Sequence, residues 1–126
     1  MDNENSFRDL IVYKKAFELA MEIFKLTKTF PKEELYSLSD QIRRSSRSVC
    51  SSIAEAYRKR RYPAHFISKI SDADMENSET IVWLDFAENC GYLKKSIKIE
   101  LENKCIEIGK LLNHMIIHPE KYQRKI

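Results

Sequence analysis

Glycine and proline are both scarce in this sequence. Its 126 residues include two glycines, Gly91 and Gly109, and three prolines, Pro31, Pro63 and Pro119. Sheet proteins need many turns, and turns draw on these two residue types, so the scarcity predicts few loops and long helices. It also excludes sites that need clustered glycines, such as phosphate-binding P-loops, dinucleotide-binding fingerprints and G-x-S-x-G nucleophile elbows.

Cysteines are few, and long apolar runs are missing. Cys50, Cys90 and Cys105 are an odd number of cysteines with no C-x-x-C pair, which is not the pattern of a secreted disulfide scaffold. No apolar run reaches the roughly 18 residues of a membrane span. The N-terminal segment, Met1 to Arg8, has no apolar signal-peptide core. We therefore expect a cytoplasmic protein with no membrane association.

Apolar residues recur at helical spacing in four segments. In the first segment the main row is Val12, Ala16, Leu19, Ile23 and Leu26, and a second row beside it is Tyr13, Phe17, Ala20 and Phe24. With Pro and Gly as boundaries, the patterns predict helices at about 10–30, 33–61, 64–89 and 94–118. Short connectors between long helices predict an all-α, antiparallel up-down-up-down four-helix bundle, with one domain over 1–126.

The second and third predicted helices have unusual faces. The core side of the second is rich in serine at Ser45, Ser46, Ser48, Ser51 and Ser52. Small side chains there would let another helix approach closely, and the alternative is a solvated serine face. The third helix is apolar nearly all round, although a helix of a four-helix monomer needs only one apolar face. We therefore predict an oligomer interface at Trp83, Val82 and Phe86; alternatively, Trp83 folds over its own bundle.

Charge is distributed unevenly around a formal net charge of +3. Residues 32–61 hold eight basic residues against four acidic ones, whereas 62–93 hold one basic residue against six acidic ones. Arginine suits two-pronged binding of phosphate and carboxylate. One hypothesis is that a basic surface binds a nucleic-acid backbone through Arg43, Arg44, Arg47, Arg58, Lys59, Arg60 and Arg61. The other is that these residues are solvated or pair with the acidic third helix, within one subunit or across two.

The sequence shows no recognisable set of catalytic or metal-binding residues. A di-iron bundle needs Glu-x-x-His, and no glutamate here has a histidine three residues on. His114 and His118 have a spacing used by zinc sites, but the glutamate of a zinc-protease motif is missing, and surface or capping roles explain them. Glu76 and Glu79 lack a visible pocket and partner acid. We expect no catalytic residue, no metal and no cofactor, and an enzyme ranks third among the possible functions.

Several motifs in combination resemble one protein family. They are Phe7-Arg8-Asp9-Leu10, Tyr13-Lys14-Lys15-Ala16, Phe30-Pro31-Lys32-Glu33-Glu34, Gln41-Ile42-Arg43-Arg44-Ser45-Ser46, Ile53-Ala54-Glu55, Glu79-Thr80, Trp83-Leu84 and Cys90-Gly91-Tyr92-Leu93. Over about residues 7–118 the chain resembles the four-helix-bundle proteins first noted as reading frames inside intervening sequences of bacterial 23S ribosomal RNA genes. It departs from them at Ser52 and Ala56, where the family often has Asn and Gly.

The resemblance implies a bacterial protein that assembles as a ring-like homopentamer. It also implies kinship to the accessory proteins of diversity-generating retroelements, which bind a reverse transcriptase and nucleic acid. With the charge pattern, it predicts a non-catalytic homo-oligomeric bundle that binds RNA or a ribonucleoprotein partner, such as a reverse transcriptase-like protein, through a basic surface. The alternative is a protein-interaction scaffold with no nucleic-acid role, whose arginines are used in subunit contacts.

Overall fold

The computed structural model describes residues 6–123, which form four α-helices. They are α1 (Ile11–Thr27), α2 (Leu38–Arg58), α3 (Pro63–Asn89) and α4 (Lys95–Ile117), with 3-10 turns at Phe7–Asp9, Lys32–Glu34 and Pro119–Lys121. Helices α1 and α3 each pack against both α2 and α4 and so lie diagonally across the bundle. This confirms the predicted all-α four-helix bundle. The ends of the predicted 1–126 domain, 1–5 and 124–126, lie outside the described residues.

Helix α2 begins later than the sequence predicts. Its first residue is Leu38 rather than residue 33, because Ser37 has a non-helical backbone with φ −127° and ψ −106°. The Glu34 carboxylate accepts the Leu38 N–H at 3.2 Å, so a side chain satisfies a donor that the helix leaves free at its start. Helix α1 also ends early, at Thr27, and α2 ends at Arg58 rather than residue 61. The connection between α1 and α2 is therefore longer than expected.

The predicted apolar rows meet in a continuous core. Ile23, Ile42, Ile53, Ile70 and Leu84 have no exposed surface, and each fully buried side chain of this size contributes about 1.5–3 kcal/mol. All four helices contribute to this core. The packing leaves the opposite faces of α1 and α3 to solvent, which is where the candidate assembly surfaces lie.

The serine face of α2 is largely buried against α3. Ser45, Ser46 and Ser52 are buried, and the Ser45 and Thr80 hydroxyls form a hydrogen bond of 2.8 Å between the two helices. The Ser46 hydroxyl donates to the Ile42 carbonyl oxygen at 2.8 Å. Since α2 and α3 make the most extensive helix contact, the hypothesis of a close helix approach is confirmed for these serines. Only Ser51 is exposed.

Candidate nucleic-acid and assembly surfaces

The seven basic residues predicted to bind nucleic acid form two groups. Arg43, Arg44 and Arg47 lie in the first half of α2, whereas Arg58 is its last residue and 59–61 follow it. Arg47 and Arg58 are eleven positions apart, which is about 16 Å along a helix axis. The structure therefore brings four of the residues together at one end of the bundle and keeps three apart from them.

The first group, Arg43, Arg44 and Arg47, packs partly against α1. The Arg43 Nε donates to the Thr27 hydroxyl at 2.7 Å, and its guanidinium carbon lies 5.1 Å from the centre of the Phe24 ring. The Arg47 guanidinium carbon lies 5.5 Å from the same ring centre. Cation–π contact holds both side chains over one aromatic ring. Arg44 is exposed.

The second group lies at the end of α2. Together with Lys121 it forms the basic end, which we define as Arg58, Lys59, Arg60, Arg61 and Lys121. Arg60 lies 3.6 Å from the Tyr57 ring centre, and its Nε donates to the Tyr57 carbonyl oxygen at 2.8 Å. The other four side chains are exposed. Four of the five cations follow or end α2, where the helix dipole favours positive charge.

Lys121 joins the basic end because α4 returns to the start of α3. The Pro119–Lys121 turn packs against α3, and the Tyr122 ring stacks on Phe66 with ring centres 6.1 Å apart. Sequence reasoning missed Lys121 as a site residue, although the antiparallel order alone places the ends of α4 and α2 at the same end of the bundle. Arg124 and Lys125, in the basic tail noted from the sequence, lie outside the described residues.

Two ring-bearing side chains border the basic end. Tyr62 has half of its surface exposed, and its ring meets that of His65 edge to face at 6.0 Å. Charge alone did not single out either residue, but an exposed aromatic next to several cations is the composition of a single-stranded nucleic-acid surface.

Lysines form most of the ion pairs within the chain. Lys69 binds Glu55 at 2.6 Å, Lys98 binds Asp85 at 2.8 Å and Lys104 binds Glu22 at 2.6 Å, and each pair links two helices. Across residues 6–123, none of the seven predicted basic residues forms an ion pair with a carboxylate. Pairing of these residues with α3 of their own subunit is therefore not observed in the described part of the chain.

The residues predicted for an oligomer interface lie on the outer side of α3. Val82 and Phe86 are 45% and 54% exposed. Trp83 is half-buried against the core, its Nε1 donates to a Glu79 carboxylate oxygen at 3.3 Å, and its ring centre lies 5.9 Å from that of Phe86. Trp83 thus partly covers its own bundle, as in the alternative. We define the α3 ridge as Met75, Glu79, Val82 and Phe86.

A second apolar surface lies between α1 and α2. Phe17 and Met21 are 51% and 41% exposed, and they border a groove of about 370 Å³ that Arg47 and Cys50 also line. We call this the α1–α2 groove. The second apolar row of the first helix was predicted as part of a wide apolar face, but only Ala20 of that row is buried. The sequence did contain a signal for this exposure: the first helix carries two rows of large apolar side chains, which is more than the core can bury.

Part of the negative charge on the α3 surface has no cationic partner within residues 6–123. Burial raises the pKa of Glu76, and the neighbouring carboxylates of Glu79 and Asp72 raise it further. Neither Glu76 nor Glu79 forms an ion pair with a described cation. The α3 surface therefore has an electrostatic environment opposite in sign to that of the basic end.

The two histidines with zinc-like spacing lie at the end of α4. The His114 Nδ1 and the Tyr122 hydroxyl are 2.9 Å apart, and the His118 Nδ1 lies 3.5 Å from a Glu120 carboxylate oxygen. His118 is the C-terminal capping residue of α4. Within residues 6–123, no group of three or more His, Cys, Asp or Glu side chains is arranged to hold a metal ion. None of the helices described here is long and apolar enough to cross a bilayer.

Comparison with known proteins identifies the family of this chain. The family model described as 23S rRNA-intervening sequence protein matches residues 8–114, and that description names no catalytic activity. A crystal structure of a protein of unknown function from the S23 ribosomal protein family of Bacteroides thetaiotaomicron is similar. It shares 33% sequence identity over 84% of this chain and 95% of that one, with a TM-score of 0.77. A search of curated proteins gives no match. The family match spans most of the chain, so the chain belongs to the 23S rRNA-intervening sequence protein family.

Proposed function

We propose that this protein is a non-catalytic homo-oligomer of the bacterial cytoplasm that binds RNA through its basic end. The observation that carries the proposal is that Arg58, Lys59 and Arg61 are exposed, adjacent, and without a carboxylate partner in residues 6–123. Cations that stabilise the fold of their own subunit are expected to have such partners, whereas cations available for phosphate are not.

RNA backbone is the partner that this surface fits best. Arginine forks bind phosphate oxygens in two-pronged fashion, and the exposed Tyr62 ring offers a stacking face for an unpaired base. Most contacts would be to phosphate, so sequence preference should be slight. In this proposal Arg43 and Arg47 contribute less, because their side chains are held over Phe24.

Self-assembly is the second half of the proposal. The α3 ridge exposes three large apolar side chains on one helix face, and exposed apolar surfaces of this kind mark interaction sites. Together with the resemblance, this supports a homopentamer. A ring repeats the basic end once per subunit, so several weak phosphate contacts reinforce each other by avidity.

The test compares two triple charge reversals by fluorescence anisotropy with a labelled single-stranded RNA of mixed sequence. The first is Arg58→Glu, Lys59→Glu and Arg61→Glu, which leaves Arg60 on Tyr57. The matched control is Lys32→Glu, Lys94→Glu and Lys95→Glu, three exposed lysines at the opposite end of the bundle. We expect the first variant to lose at least tenfold in affinity at low salt, and the control to lose much less.

Two results would overturn the RNA proposal. Equal weakening of both variants would mean that binding reflects only overall charge. Failure of the unmutated protein to bind RNA at low salt would favour the protein-interaction scaffold without a nucleic-acid role. Assembly of each variant is checked by light scattering, so that a loss of RNA binding is separated from a loss of the oligomer.

A further inference from the structure

The α3 ridge and the α1–α2 groove are apolar surfaces that no other segment of residues 6–123 covers. We infer that the α3 ridge of one copy seats in the α1–α2 groove of a second copy, so that subunits join head to tail. The inference rests on the proposed self-assembly and names the two surfaces that form the contact. The occupant of each surface is thus another copy of this chain.

The two surfaces differ in shape and are similar in length. Met75, Val82 and Phe86 project from α3 with 64%, 45% and 54% of their surfaces exposed, whereas Phe17 and Met21 border a hollow of about 370 Å³. Met75 and Phe86 are eleven positions apart, and Tyr13 and Met21, which bound the groove on α1, are eight positions apart, so the two lines of side chains are about 16 Å and about 12 Å long. A projecting row can enter a hollow of similar length, but two projecting rows cannot fill each other.

The charges of the two surfaces are complementary. Arg47 lines the groove, and Arg43 lies over Phe24 beside it. Glu79 lies within the ridge and Glu76 adjoins it, and neither has a cationic partner in the described part of the chain. Contact between ridge and groove places arginine near glutamate. Contact between two ridges would place glutamate near glutamate, and contact between two grooves would place arginine near arginine, which disfavours both symmetric pairings.

The positions of the helices require the contact to be between copies. Helices α1 and α3 lie diagonally in the bundle, so the groove and the ridge face different directions and cannot meet within one chain. A contact between two different faces is heterologous, and it generates a ring when the rotation between neighbours closes. In an up-down-up-down bundle α1 and α3 run in the same direction, as neighbouring subunits of a ring with its axis along the helices require.

The test uses one variant for each surface. Phe17→Glu disables the groove, and Val82→Ser with Phe86→Ser disables the ridge; all three side chains are about half exposed, so the core is left intact. We expect each variant alone to have the 14.9 kDa mass of one chain in sedimentation velocity. An equimolar mixture should form a particle of two chains and nothing larger, because only one intact ridge and one intact groove are available.

The control is Ile99→Ser with Ile106→Ser, two exposed isoleucines of α4 outside both surfaces, and it should assemble like the unmutated protein. Circular dichroism melts confirm that all variants fold. If a variant melts early, the surface reversals Arg47→Glu and Glu79→Arg replace it: each alone should weaken assembly, and both in one chain should restore it.

The outcomes separate this inference from the proposed function. Normal assembly of the Phe17→Glu variant, or a mixture that stays monomeric, would overturn the pairing of ridge and groove while leaving self-assembly in place. A monomeric unmutated protein would overturn the proposed oligomer together with the inference. Monomeric single variants that combine into a particle of two chains would support head-to-tail contact.

Discussion

Glu34 links three parts of the chain through one carboxylate. One oxygen accepts the Leu38 N–H at the start of α2, and the other accepts the Tyr92 hydroxyl at 2.8 Å, beyond the end of α3. The Tyr92 hydroxyl and the Leu38 N–H lower the pKa of Glu34, because both bonds favour the charged form. The same bond raises the pKa of Tyr92 to about 12. Glu34 therefore stabilises the fold more strongly when it is ionised than when it is protonated.

This gives a pH-dependent prediction. A carboxyl with a lowered pKa contributes stability above its unfolded value, near 4.5, and the contribution is lost as the pH falls through the folded pKa. We expect Glu34→Gln to lower the melting temperature at neutral pH, with the deficit shrinking as the pH falls below that value. Thermal melts across this range measure it, with Glu33→Gln as the control. A deficit that stays constant with pH would show that the charge of Glu34 is unimportant.

At the scale of helices, the two glycines have opposite roles. Gly91 ends α3 with φ +80°, and the Tyr92 N–H donates to the Ala87 carbonyl oxygen at 2.9 Å in a Schellman-type cap. Gly109 lies inside α4, where an added Cβ would come 3.4 Å from the Asn77 amide nitrogen, a contact at the edge of ordinary packing. One glycine is therefore required by its backbone conformation, while the other weakens its helix.

We expect alanine substitutions at the two glycines to change stability in opposite directions. Gly91→Ala should destabilise by roughly 1–2 kcal/mol, the cost of a left-handed conformation for a residue with a Cβ. Gly109→Ala should stabilise by about 0.5–1 kcal/mol, because alanine loses less entropy in a helix. Chemical denaturation of both variants measures the free energies of unfolding. Destabilisation by Gly109→Ala would mean that the Cβ displaces Asn77 from its hydrogen bond to the Cys105 carbonyl oxygen.

The sequence predicts helices and core rows better than it predicts helix starts and surfaces. Apolar spacing and Pro or Gly boundaries are local, so four helices and the stop at Gly91 followed from them directly. The start of α2 depends on Glu34 and Tyr92, which are 58 residues apart, and no local pattern reveals that bond. Likewise, the spacing of the two groups of basic residues can be read from the sequence, but their different surroundings cannot, because Arg43 and Arg47 contact Phe24 of another helix.

For the whole molecule, the two proposals assign different arginines to different tasks. Arg43 and Arg47 lie beside the groove and would face the glutamates of a neighbouring α3 ridge. Arg58, Lys59 and Arg61 lie at the basic end, about 16 Å further along α2, and remain available to RNA after assembly. Substitutions can therefore remove the subunit contact and the RNA contact separately. Both hypotheses from the sequence treated the seven basic residues as one set.

This separation predicts how the salt dependence of RNA binding changes when the oligomer is broken. Each phosphate neutralised on single-stranded RNA contributes roughly 0.7 to the slope of log affinity against log salt. One basic end reaching two or three phosphates should give a slope of about 1.5–2, whereas two subunits engaging one RNA should roughly double it.

The ridge variant Val82→Ser with Phe86→Ser changes no charge, so each of its basic ends keeps its intrinsic contacts. We expect it to bind a long RNA more weakly than the unmutated protein and with about half the slope, while a short RNA that spans one subunit is bound equally by both. Anisotropy titrations over a salt series, with long and short RNAs, measure this. Equal slopes for the two proteins on the long RNA would mean that only one subunit of the oligomer contacts RNA at a time, and avidity would then play no part in binding.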